Sequence, residues 1–98
     1  MTAESIERLA ALDRLRVRTR HSVYDIIVSE PRGAGVFVRG GRFFPEFTAV
    51  RVAGSTNGGS SIELRSLEVA LRLEFSLGRQ FVLTSAVQSI DVIGAPPE

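Results

Sequence analysis

Ninety-eight residues, 44% hydrophobic and 23% charged, describe one small globular domain with a modest core. Twelve basic residues against eleven acids leave a net charge of +1, which gives no support to a dedicated nucleic-acid binder. The absence of cysteine excludes disulfides and thiolate metal sites, and no run approaches the roughly 20 apolar residues of a membrane-spanning helix.

All twelve basic residues are arginine. Guanidinium forks grip phosphate and carboxylate, but codon bias in a GC-rich, bacterial-type genome is the plainer explanation. Met1 to Arg8 carries two acids and no apolar stretch, so it does not read as a secretory signal, and cytoplasm is the expected location.

Residues 2–13 read as a short helix. Thr2 can cap it, Glu4 and Glu7 suit the first turn, and Glu4 faces Arg8 one turn on. Its apolar stripe of Ile6, Leu9 and Ala10 is narrow, so the helix must dock on the rest of the chain or on another subunit. The expected organisation is an N-terminal helix over 1–14, a β-barrel domain over 15–94 and a flexible tail over 95–98.

From Leu15 the apolar period becomes two. Leu15, Val17 and Thr19 alternate with Arg16, Arg18 and Arg20, the pattern of a half-buried strand. Three glycine-containing turns then suggest three-residue hairpin loops, each with glycine in the left-handed position of a bulge. Pro31-Arg32-Gly33 sets Val28 against Val36, Ile26 against Val38, Tyr24 against Gly40 and Asp25 against Arg39. Thr56-Asn57-Gly58 sets Val52 against Ile62 and Arg51 against Glu63, and Ser76-Leu77-Gly78 sets Leu73 against Phe81. Between Ser60 and Phe75 the apolar parity flips near Arg65-Ser66, as a bulge in one long bent strand would cause. Val87 to Ile93 reads as a short turn and a last strand.

The expected fold is therefore mainly β: a small antiparallel barrel, SH3-like or OB-like, of six to seven short strands with a short N-terminal helix. A compact sandwich is the alternative. Such an analogy carries no function.

Candidate chemistry is sparse. One histidine, no cysteine and no acid-rich loop leave no metal site, and no cofactor is expected. His21, oriented by Asp25 and joined by a serine, is the only arrangement that could serve nucleophilic catalysis; a hydrogen-bonded turn residue is the plainer reading of His21. No enzyme activity is expected. Gly54 to Ser61 is a polar, glycine-rich stretch without a phosphate-loop lysine, and reads as a hairpin tip. Arg14, Arg16, Arg18 and Arg20 form an outward ladder that Glu68 and Glu74 could balance if their strands are neighbours.

The stretch "RGGRFFPEF" at 39–47 is the strongest candidate surface. Of Phe43 and Phe44, adjacency points one inward and one outward, while Phe47 is expected in the core. Arg39, Arg42, Phe43 and Phe44 are thus the candidate partner-binding residues of a non-enzymatic module that binds a protein or itself. The alternative is a single-stranded nucleic-acid binder using Arg16, Arg18, Arg20, Arg42 and Phe43. A small-ligand or hydrolytic barrel using His21 and Asp25 is a distant third. No membrane partner is expected.

Overall fold

The computed structural model describes residues 3–57 and 62–94, which are mainly β, with a radius of gyration of 12.0 Å. Nine strands follow in order: β1 Ala3–Ser5, β2 Arg14–Thr19, β3 Val23–Glu30, β4 Gly35–Gly40, β5 Phe44–Thr56, β6 Ile62–Leu64, β7 Ser66–Glu68, β8 Arg72–Leu77 and β9 Gln80–Gly94. Seven form one antiparallel sheet in the order β4-β3-β2-β9-β8-β5-β6, with β4 also paired to β5; β1 and β7 pair separately.

Two long strands organise this sheet. The first half of β5 pairs with β4 and its second half with β8, while Gln80 to Ala86 of β9 pair with β8 and Val87 to Gly94 with β2. Bulges near Gly54 and near Arg72–Glu74 accompany these changes of partner, as expected where a strand must bend. The result is a five-stranded half, in which β4, β3 and β2 lie between the ends of β5 and β9, and a second half built on β8. Among the described residues, no strand pairs with Phe44 to Val50 on the side away from β4, or with Gln88 to Gly94 on the side away from β2. The expected barrel is accordingly not closed. The bent-strand role expected of 60–75 falls to β5 and β9.

The core follows from period-two alternation. Leu15, Val17, Tyr24, Ile26, Val28, Val36 and Val38 point in from β2, β3 and β4, and meet Val52, Leu73, Phe75, Val87 and Ile90. Phe44 sits edge-on to Phe75 with ring centroids 5.5 Å apart, and Tyr24 packs on the same ring at 6.0 Å. Each large apolar side chain so buried contributes about 1.5–3 kcal/mol.

The expected N-terminal helix is absent from the described residues. Ala3–Ser5 forms a strand on β7, and Ile6–Arg8 makes one 3-10 turn. A narrow stripe cannot hold an isolated helix, whereas β7 supplies backbone partners: the Ile6 N–H donates to the Arg65 carbonyl at 3.0 Å. This placement buries Ile6 and Leu67 together in the core. Leu12, at φ 72°, stands in the left-handed region and would break a helix in any case. Thr2, expected as its cap, and the tail at 95–98 lie outside the described residues.

The first hairpin has all the expected pairs, Asp25 with Arg39 included. Its left-handed residue is Ala34, at φ 55°, after a 3-10 turn over Pro31–Gly33. The second differs by four residues: Thr56 pairs with Ile62 and Gly54 with Leu64, because Gly54 to Thr56 continue the strand. The Ser55 hydroxyl there donates to the Ser66 carbonyl at 2.6 Å and accepts from the Glu68 N–H at 3.1 Å, which satisfies a buried polar side chain. The expected turn at Thr56-Asn57-Gly58 falls partly outside the described residues. The third hairpin also shifts. Leu77 pairs with Gln80 across a two-residue turn, and Gly78, at φ 59°, takes the first central position that favours glycine. Ser76, not Leu73, then faces Phe81.

The chain does turn at Arg65, where the parity flip pointed, but 60–75 is not one strand. Arg65 at φ 54° separates β6 from β7, and Ala70 at φ 78° turns the chain into β8. Residues 87–93 belong to one 15-residue strand with no turn before them.

Candidate interaction surface

Five strands build the outward face of the five-stranded half. Inward burial of Leu15, Val17, Ile26 and Val38 dictates that Arg16, Asp25 and Arg39 point outward, since successive strand residues face opposite sides. The register then aligns them across the sheet: Asp91 opposite Arg16, Arg16 opposite Asp25, and Asp25 opposite Arg39. Asp25 is shared. Its Oδ1 accepts from Arg16 Nε at 3.1 Å, and its Oδ2 lies 3.5 Å from Arg39 Nη2.

The row ends on an aromatic ring. The Arg39 guanidinium lies over Phe47 on β5, 4.4 Å from the ring centroid. At an exposed site such a contact contributes about 0.5–1 kcal/mol, and it holds both side chains in defined positions. Phe47 is 41% exposed, so the expectation that it joins the core is overturned. Phe37, opposite Ala49 on the same face, is 40% exposed, and Ile93 on β9 is 53% exposed.

The stretch at 39–47 therefore divides its roles. Gly40, at φ 144°, lies so close to β3 that an added Cβ would meet the Val23 carbonyl oxygen at 2.1 Å. Glycine is needed there for close backbone approach and not for flexibility. Phe44 is 1% exposed and is withdrawn from the candidate partner-binding set, because it fills the space beside Phe75. Phe43 is the outward one, at 64% exposure, beside exposed Arg42 in the turn between β4 and β5. The structure thus brings Arg39 together with Arg16, Asp25 and Phe47, and leaves Arg42 and Phe43 at the neighbouring hairpin turn.

The arginine ladder of β2 is outward and exposed throughout. Only Arg16 has acids opposite, and these are Asp25 and Asp91 rather than Glu68 and Glu74, whose strands do not adjoin β2. Arg18 lies between Val23 and Ser89, Arg14 between Ile27 and Gly94. Arg20 and His21 form the exposed turn to β3, where the His21 N–H donates to Ser85 Oγ at 3.3 Å. Asp25, held by two guanidiniums, makes no contact with His21 among the described residues.

Phe47 is the side chain of this face whose outward position differs from expectation. Counting back by two from buried Val52 and Val50 puts residue 47 on the outer face, in step with Arg39 across the strand pair. Ile93 carries no comparable signal, since a bulge near Arg14 and Leu15 interrupts the register beside it.

No helix among the described residues is long and apolar enough to cross a membrane, and no group of three or more potential metal ligands occurs among them. No protein-family model, no curated protein and no solved structure matches this chain.

Proposed function

We propose that this domain is a non-enzymatic, cytoplasmic interaction module that binds a protein partner or a second copy of itself. Its binding surface is the outward face carrying Phe37, Arg39 and Phe47, with Phe43 and Arg42 at its rim. The observation that carries this reading is the Arg39 guanidinium stacked on half-exposed Phe47, next to the side of β5 that no strand among the described residues pairs with. Aromatic residues and arginine are the types that anchor interfaces, and an unpaired strand edge offers backbone donors and acceptors to a partner. Within this reading the sheet is a small, partly open barrel, SH3-like rather than OB-like, supported by the sharing of β5 and β9 between its two halves.

Photo-crosslinking tests it. Benzoylphenylalanine placed at Phe37 or Phe47 and irradiated in cells is expected to yield one discrete higher-mass adduct, weak or absent when the probe replaces exposed Phe81. No adduct, or the same adducts from both positions, would sink the proposal. An adduct of two chain masses identifies self-association.

Exposed Phe43 beside Arg42, with Arg18 and Arg14 lacking acids opposite, favours single-stranded nucleic-acid binding as a second reading. It requires affinity that falls steeply with salt and is lost in Phe43→Ala. The engagement of Asp25 by Arg16 and Arg39 leaves the hydrolytic reading with His21 the weakest of the three.

A further inference from the structure

Across β2 and β3 the outward face is hollowed into a groove of about 220 Å³, with Ile27, Phe47 and Ile93 among its apolar lining. Pockets for drug-sized ligands begin at about 300 Å³, so this groove is the size for a side chain and not for a free cofactor. Arg14, Arg16 and Arg39 line it together with a single acid, Asp25. Three guanidiniums against one carboxylate leave two positive charges, and Asp91, opposite Arg16, reduces the excess to one.

The donors are not exhausted. Each guanidinium carries five N–H donors, and Asp25 occupies one atom of Arg16 and one of Arg39. Arg14 makes no ion pair among the described residues, because Ile27 and Gly94 stand opposite it. Guanidinium planes match a carboxylate with two parallel hydrogen bonds. Phe47 and Ile93, both large and half exposed, add apolar walls on which an aliphatic or aromatic neighbour of that carboxylate can pack.

Resting on the interaction-module reading, we propose that this groove binds an acidic side chain flanked by apolar residues in a protein partner. One net positive charge suits a monoanion, and the apolar walls suit a peptide better than a sugar-phosphate backbone. Asp25 acts as an internal competitor. It holds Arg16 and Arg39 in place and supplies the carboxylate that an incoming one must match.

The test is a titration of the isotope-labelled protein with acetyl-Leu-Glu-Leu-amide, its Gln counterpart and a short oligothymidylate, read by NMR at the arginine Nε–H groups and the amides of β2 and β3. The Glu peptide is expected to move the Arg14, Arg16 and Arg39 signals, and the Gln peptide to bind several-fold more weakly. Arg14→Gln should weaken the Glu peptide by about two- to five-fold, the range of an exposed charge, and Asp25→Asn should tighten it by a similar factor. Equal response to both peptides, indifference to both substitutions, or a response to the oligonucleotide alone each overturns the proposal. If the photo-adduct at Phe37 or Phe47 forms while the Glu peptide has no preference, the groove proposal fails and the interaction surface stands. If neither responds, both fail.

Discussion

Tyr24 gives this chain an unusually clean handle on alkaline stability. It is the one tyrosine, and the sequence holds neither lysine nor cysteine, the other side chains that ordinarily titrate in its range. Burial raises its hydroxyl pKa above the ordinary 10.0, and a hydrogen bond with Ser22 offsets this in part. A raised value means that the folded state holds the proton more tightly than the unfolded one. The stabilisation is therefore complete below about pH 10 and is lost as the pH rises through the folded value. Urea midpoints measured across that window are expected to fall for the wild type and to stay level for Tyr24→Phe. A parallel fall in both would mean that Tyr24 ionisation is not what destabilises the fold.

At the scale of the element, turns decided what could be read from the sequence. Strand β2, the β3–β4 register and the Asp25–Arg39 pair follow from alternation and one proline-glycine turn, and the structure has them. The third hairpin departs from the expected register because its glycine allows both a three-residue and a two-residue loop, and only tertiary pairing selects the latter. The turn at Ala70 was invisible for a different reason. Nothing in Val69-Ala70-Leu71 signals a turn, and Ala70 is held at φ 78° by donating its N–H to the Val87 carbonyl at 2.7 Å, while Leu71 accepts from the Val87 N–H at 2.8 Å. The conformation is imposed from β9, 17 residues away. Alanine is strained there and glycine is not, so Ala70→Gly is expected to raise stability by about 0.5–1 kcal/mol in urea unfolding, despite the looser unfolded chain. A loss of stability would show that the turn is unstrained. The candidate surface is legible to the same degree: Arg39 and an exposed neighbour of Phe44 follow from local pattern, whereas the Phe47 stack and the groove beside Ile93 need the neighbouring strands in place.

Taken whole, the molecule joins segments that lie far apart along the chain. β2 pairs with β9 and β1 with β7, so its two outermost described strands each depend on partners more than 60 residues along the chain. Non-local β pairing of this kind is associated with folding in milliseconds to seconds. Stopped-flow refolding is expected to give a main phase in that range, and a microsecond phase carrying the full amplitude would contradict it. The order of synthesis adds a further consequence. As the chain leaves the ribosome, β2, β3 and β4 emerge early as a meander whose β2 edge still lacks its second neighbour. The pairing of Leu15 with Val92 and of Val17 with Ile90 must wait until β9 arrives. During that interval the nascent protein presents an apolar strand edge of the kind that chaperones bind and neighbouring nascent chains can invade. The arginines that stud β2 every second residue, Arg14, Arg16 and Arg18, then act as gatekeepers: they charge the waiting strand against aggregation before they serve any surface of the finished fold.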